Sequence, residues 1–426
     1  MSDSKCSNNN RGLTLRIYIT AFLGAFSTGL YQPFINVYAV ELSATYNELG
    51  IITSVGNAAP TIFQPIWGHL SDKMGRRLVF VFIGYFLGSI LIAFFLLVEN
   101  PLLYALILGV QSIIFSASIP AWSAFVGDQI PEEKRGKGLG ILNGITFGGR
   151  VSATMIAGVL MTYFLYESLY EQYLVAFIGA ALTGVITSFL AITLKEVPLN
   201  SPTGRSLSTS LTVALNNGYF KTILILEGYW MFAMSLSWPY FAVVMVNKLQ
   251  ATKLEIAIAS ILFGISFSLT QMFLGNLIDV YGRRRIIFYT KFIFPVYPIF
   301  YVLAESMVHI YIANVIVGTA NALTTTGVSA YILDITGSEE RGTYFAIYNT
   351  LIGATSAIGS VIGGFLGWLL EAYLPSIEAM NAVLIFSFFN RIVAAFLYKF
   401  LKESPGFPIE VSVKQLPGPP TINTPK

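Results

Sequence analysis

Long apolar stretches separated by short polar breaks set the pattern of this chain. Twelve apolar runs can be marked, at about residues 13–40, 49–70, 78–98, 102–126, 138–163, 170–194, 219–246, 255–278, 286–304, 308–333, 343–369 and 377–401. A helix needs about 20 residues to cross the hydrocarbon core of a bilayer. An unpaired backbone group in lipid is so unfavourable that only helices or a closed barrel can span it, and uninterrupted runs of this length predict helices. The expected fold is an all-α membrane protein with twelve transmembrane helices. The first run, which continues past Arg16 through Tyr31, Pro33 and Tyr38, is longer than a signal-peptide core and reads as an uncleaved first helix.

Composition agrees with lipid as the solvent: 55% of residues are hydrophobic and only 11% charged, with a mean hydropathy of +0.68. A chain with so little polar surface cannot cover a water-soluble globule. Basic residues gather on alternate breaks, including Lys73, Arg76, Arg77, Lys134, Arg135, Arg283, Arg284, Arg285 and Arg341, whereas the opposite loops hold Lys248 and Lys253. By the positive-inside rule both termini are expected in the cytoplasm and the protein in the cell (cytoplasmic) membrane. The one cysteine, Cys6, lies in the polar N-terminal tail and offers no disulfide framework.

The chain also repeats itself. At an offset of 206 or 207 residues, Gly68 to Arg77 (GHLSDKMGRR) matches Gly275 to Arg284 (GNLIDVYGRR). At the same offset Gln64 answers to Gln271, Asp72 to Asp279, and Asp128 to Asp334. Leu194, Lys195, Glu196 and Pro198 match Leu401, Lys402, Glu403 and Pro405. The resulting plan is a cytoplasmic N-terminal tail at 1–12, a six-helix bundle at 13–198, a polar cytoplasmic linker at 199–218, a second six-helix bundle at 219–402 and a Pro-rich tail, expected to be disordered, at 403–426.

With these features the chain resembles the major facilitator superfamily of transporters. The family signature between the second and third helices, G-x-L-x-D-[RK]-x-G-R-[RK], is met by Gly68, Leu70, Asp72, Lys73, Gly75, Arg76 and Arg77, and the second copy departs where Val280 replaces the first base. The resemblance implies that Asp72 faces the start of the eleventh helix near Gly342 and Thr343, and that Arg76 pairs with Asp128. By duplication Asp279 would face the start of the fifth helix near Gly136 and Lys137, and Arg283 would pair with Asp334. Such ties would clamp the cytoplasmic faces and break when a cavity opens inward. The fifth helix loosely resembles the antiporter motif of drug exporters, with Gly149 where that motif has proline. Leu108 stands where proton-coupled members often have arginine.

Substrate chemistry must come from the site, expected near the bilayer midplane between the halves. Arg150 falls near the middle of the fifth helix; it reads either as a bundle-holding cation or as an anion-binding or coupling group. No second base repeats it, since Ser356 stands at the duplicated position. Glu227 in the seventh helix is either a solvated interfacial acid or a proton carrier, and Arg391 reads as structural. Neutral polar candidates are Gln32, Asn57, Gln64, Gln111, Trp238, Gln271 and Asn321, with Asn57 and Gln64 seven apart and so on one helix face.

The expected function is transmembrane movement of a small solute by alternating access, secondary active or facilitative, of drug/metabolite or sugar/organic-anion type. H+ or Na+ is the candidate coupling ion. A ligand sensor or a lipid-moving protein on the same fold is the alternative. Phosphate-loop and HExxH motifs are absent, and His69 and His309 lie far apart, so no enzyme, cofactor, metal or nucleic-acid role is expected. Both halves sit in one chain, which suits a monomer.

Overall fold

The computed structural model describes residues 2–130, 135–164, 166–196, 216–275, 277–337 and 340–405, with the backbone only of 2–14 and 135–137. The expected linker up to residue 215, the tail beyond 405, the loop 131–134 and the side chains of Cys6, Arg135 and Lys137 lie outside the described set. Ten described helices are long and apolar enough to cross a membrane. Together with α1 (Ser2–Tyr31, continued by Ile35–Glu41) and α2 (Tyr46–Met74) they make twelve. The ten are α3 (Arg77–Leu97), α4 (Pro101–Gln129), α5 (Arg135–Tyr163), α6 (Leu169–Ile192), α7 (Gly218–Lys248), α8 (Lys253–Leu274), α9 (Arg283–Leu303), α10 (Met307–Asp334), α11 (Arg341–Leu370) and α12 (Ser376–Phe400). The chain is an all-helical, multi-span membrane protein.

The repeat is visible in the helix ends. Thr45 and Glu48 form a capping box at the start of α2, and Thr252 and Glu255 form the same box at the start of α8. Each box satisfies two orphan backbone donors and stabilises its helix by about 1 kcal/mol. In the repeated polar motif, Gly75 (φ +62°) and Gly282 (φ +90°) take left-handed backbone conformations that side chains disfavour. After each glycine the chain turns into α3 or α9, and a carboxylate from the end of the same half caps the new helix. The Arg77 N–H donates to Glu196 at 2.5 Å, and the Arg284 N–H donates to Glu403 at 3.1 Å. The matching glutamates after α6 and α12 therefore hold the entry of the third helix in each half.

Several rods are broken. In α7 the regular helix ends at Ser235 and resumes at Trp238, with Pro239 in its first turn. In α9 it ends at Lys291 and resumes at Val296. Breaks free backbone carbonyls inside the membrane, where they need new donors. Arg391 of α12 supplies them: its guanidinium donates to the Met234 carbonyl at 2.9 Å, the Phe294 carbonyl at 3.1 Å and Ser237 Oγ at 2.5 Å. It is fully buried, and its contacts are those of a structural residue.

The apolar core is continuous at one end of the molecule and divided at the other. At the end away from the polar motif, a single cluster joins Phe34, Tyr38, Leu49 and Phe95 of the first half to Tyr240, Val244, Ile256 and Tyr301 of the second. At the motif end the clusters separate. One holds Phe220, Trp230, Phe294 and Tyr398 of the second half, while Ile17, Leu78 and Phe125, and in another group Phe80 and Ala121, belong to the first.

Candidate functional site

The charges of the repeated motif gather within each half. Arg77 of α3 pairs with Asp128 of α4, and its Nη2 lies 3.5 Å from Asp72 Oδ1. In the second half Arg283 holds Asp279 at 2.9 Å and Asp334 at 2.9 Å, and Ser404 donates to Asp334 at 2.8 Å. The expected Arg283 to Asp334 pair is present, whereas Asp128 takes Arg77 and not Arg76. The reason is where the helix begins. Gly282 is itself the cap of α9, which makes Arg283 the first helical residue, whereas Arg76 is the cap of α3 and Arg77 comes first. Arg76 is exposed. Asp72 and Asp279, with 62% and 70% of their side chains exposed, serve these clusters and face solvent.

Side-chain ties between the halves lie at the other end. Lys253 of α8 pairs with Glu41 at the end of α1, and the Tyr173 hydroxyl donates to the same carboxylate at 2.6 Å. The Leu254 N–H donates to Thr162 Oγ1 at 2.9 Å, and Tyr46 donates to the Ser376 carbonyl at 2.9 Å. Backbones meet there too: a Cβ on Gly364 of α11 would lie 2.5 Å from the Tyr46 carbonyl oxygen. Nearer the motif end, Gly140, Gly144 and Gly148 of α5 and Gly342 of α11 look onto open space.

Below the tied end lies a cavity of about 370 Å³, walled by α1 to α5. Its aromatic wall is Tyr31, Tyr85, Phe115 and Trp122, and Gln32, Gln111, Ser112, Ser118 and Thr146 supply polar groups. Arg150 is the one charged residue in its lining. Close packing of α5 on α1 fixes the Arg150 backbone: a Cβ on Gly29 would meet its carbonyl oxygen at 2.5 Å, and Thr154 Oγ1 donates to the Gly29 carbonyl at 2.8 Å. The Gln111 amide donates to the Tyr31 hydroxyl at 3.3 Å. Tyr85 reaches across α1 because Gly24 leaves room for it; a Cβ there would lie 2.4 Å from its hydroxyl.

Of the sequence candidates, Gln32, Gln111 and Arg150 line this cavity. Asn57 is exposed on α2 next to the lining residue Gly56 and donates to its own helix at the Thr53 carbonyl. Gln64, Trp238 and Asn321 are partly buried away from it, and Gln271 is exposed, 3.4 Å from Thr326 Oγ1. Glu227 is not an interfacial acid. It is 3% exposed, 2.8 Å from Lys291 Nζ, and accepts from the Tyr398 hydroxyl at 2.6 Å. Lys291 sits over the rings of Trp230 and Tyr398, 4.3 and 4.7 Å from their centroids. Sequence reading missed Lys291 and Tyr85. A lysine two turns past Arg283 inside an apolar run was the available signal for the first, and the pairing of Tyr85 with Gly24 leaves no trace in sequence.

The family model of the Major Facilitator Superfamily matches residues 17–238 and 223–410, which together span nearly all of the described chain. The chain belongs to the Major Facilitator Superfamily. It is a membrane transporter of that superfamily by descent. Its relatives include the quinolone resistance protein NorA of Staphylococcus aureus, 24% identical over 82% of this chain and 88% of that protein. Another is a homolog of the multi-drug resistance efflux pump PmrA from Lactococcus lactis, 25% identical over 92% of this chain and 96% of that one. Among solved structures, a variant of the nucleoside transporter NupG aligns with a TM-score of 0.77 at 14% identity, covering 91% of this chain and 99% of the other. An inward-facing, unoccupied bacterial homolog of the human lysosomal transporter Spinster aligns with a TM-score of 0.74 at 13% identity, covering 93% and 97%. These structures share the fold.

Proposed function

We propose that the protein moves a small organic solute across the cytoplasmic membrane by alternating access, with the motif end and both termini in the cytoplasm, and that the structure is its inward-open state. The core carries this reading: one apolar cluster closes both halves together at the far end, while at the motif end each half keeps its own. The cavity continues from Gln32 and Ile35 under the closed end to Thr20 and Ser123 toward the open one. Excess Lys and Arg on the motif side support its cytoplasmic placement.

In the opposite state the far-end ties open and the motif ends close. Asp72 and Asp279, exposed here, are free to meet the helix N-termini of the other half, where the helix dipole favours a carboxylate. Arg77 and Arg283 would hold those acids in position, and Arg76 would serve only as an exposed base. The relatives named for drug resistance and efflux support a drug-like or metabolite solute over a sugar. The protein would act as a monomer, with any H+ or Na+ coupling read from the gradient dependence of flux. The test is side-specific labelling in membranes, in a Cys6→Ser background with a single cysteine at Ser123. An impermeant maleimide should react from the cytoplasmic side, and reaction should fall as substrate closes that side. Equal reaction from both faces, unaffected by any solute, would defeat alternating access.

A further inference from the structure

We propose that the transported solute is an organic anion with a planar aromatic body, its charge held by Arg150. The inference rests on the alternating-access reading above and adds the substrate class to it. Arg150 is exposed to the cavity and lies 15 residues from the start of α5 and 13 from its end, so about 20 Å from either end and close to mid-depth. No acid lines the cavity. Acids of the same half toward the two ends are engaged elsewhere, Glu41 with Lys253 and Asp128 with Arg77.

An open cavity lets water solvate this guanidinium. Closure removes the water, and a charge left without a partner at that depth is strongly disfavoured. The second half cannot supply the counter-charge, because Glu227 is buried against Lys291 with its carboxylate also bonded to Tyr398. The counter-charge must therefore enter with the solute. A guanidinium matches a carboxylate in a bidentate geometry.

The rest of the wall defines the body of the anion. Tyr85 and Phe115 pack edge to face, 5.2 Å between centroids, and with Trp122 they form an aromatic wall in the same cavity as Arg150. The volume of about 370 Å³ falls at the small end of ligand pockets, which run from about 300 to 1,000 Å³. An aromatic monocarboxylate fits both requirements. Since only the loaded cavity loses its unpaired charge, exchange of anion for anion is expected to be faster than return of the empty carrier.

The probes are 2-naphthoate, its neutral isostere 2-naphthamide and the cation 2-naphthylmethylammonium, read by quenching of tryptophan fluorescence and by thermal stabilisation of the purified full chain. The expected result is binding of the carboxylate alone, weakened about tenfold or more in Arg150→Gln and less in Arg150→Lys. Because the charge series is run on the unmodified protein, it decides the matter even if Arg150→Gln does not fold. Binding of the amide or the cation as tight as the carboxylate, or no binding of the carboxylate, overturns the proposal. Ser123 labelling that a cationic solute suppresses would leave the alternating-access reading standing while the anion assignment falls. Labelling that is equal from both faces under all probes would bring down both.

Discussion

In the second half of the molecule the charges within the membrane are answered by protein. Glu227 meets Lys291, which lies between two aromatic rings, and Arg391 fills the breaks of α7 and α9. In the first half Arg150 faces a cavity with no acid in its lining. At the repeat offset the positions of Glu227, Lys291 and Arg391 are Thr20, Gly84 and Gly184, and that of Arg150 is Ser356. Thr20 lines the cavity, whereas Ser356 is buried and turns back to its own helix at the Gly353 carbonyl. Duplication supplied one scaffold twice; the residues that differ pair the charges within one copy and leave a guanidinium facing a cavity in the other. Charge in the second copy joins helices, and on the proposal above the charge in the first copy would be answered by the solute.

This contrast can be broken most sharply at the buried pair. Lys291→Met leaves Glu227 buried without its partner and should destabilise the protein by about 3–5 kcal/mol, seen as a lower thermal unfolding midpoint. Replacing both, by Glu227→Gln with Lys291→Met, should recover most of that loss. Equal destabilisation in the double variant would mean that the pair does more than neutralise itself. Arg391→Met should follow, at about 1–3 kcal/mol for each carbonyl left without a donor. Lys253→Ala removes a partly buried tie between the halves and should shift the state ratio toward far-end opening by about 1 kcal/mol, a factor of about five. A cysteine at Val40, buried in the far-end cluster here, should then label faster from outside. Arg150→Gln is the counter-case: stability should change by no more than about 0.5 kcal/mol while anion binding is lost. A large loss of stability would return Arg150 to the structural class of Arg391.

Much of the fold could be read from the chain because lipid imposes length and apolarity on every span. The repeat was equally plain, since Gly75 and Gly282 occupy conformations that few residues tolerate and Glu196 and Glu403 repeat the same cap. Pairing was harder. Asp128 lies within reach of two adjacent arginines in sequence, and only the start of α3 decides that Arg77 is the one turned toward it. Glu227 stayed open between a solvated acid and a proton carrier because its partner, Lys291, is 64 positions away, a contact that helix packing creates and periodicity does not announce. Most neutral polar candidates fell outside the cavity for the same reason. A lone Asn or Gln satisfies its own helix as readily as it faces a ligand, as Asn57 shows.

The central claim, that the halves rock about this cavity, is tested most directly by two spin-label distances in the same membrane-embedded protein. One pair spans the motif end, at Met74 and Tyr281, and the other spans the far end, at Tyr170 and Ile377, all exposed positions. Rocking predicts that a bound aromatic carboxylate shortens the first distance in part of the population while lengthening the second. Two distances that stay fixed with solute, or that change in the same direction, would contradict it.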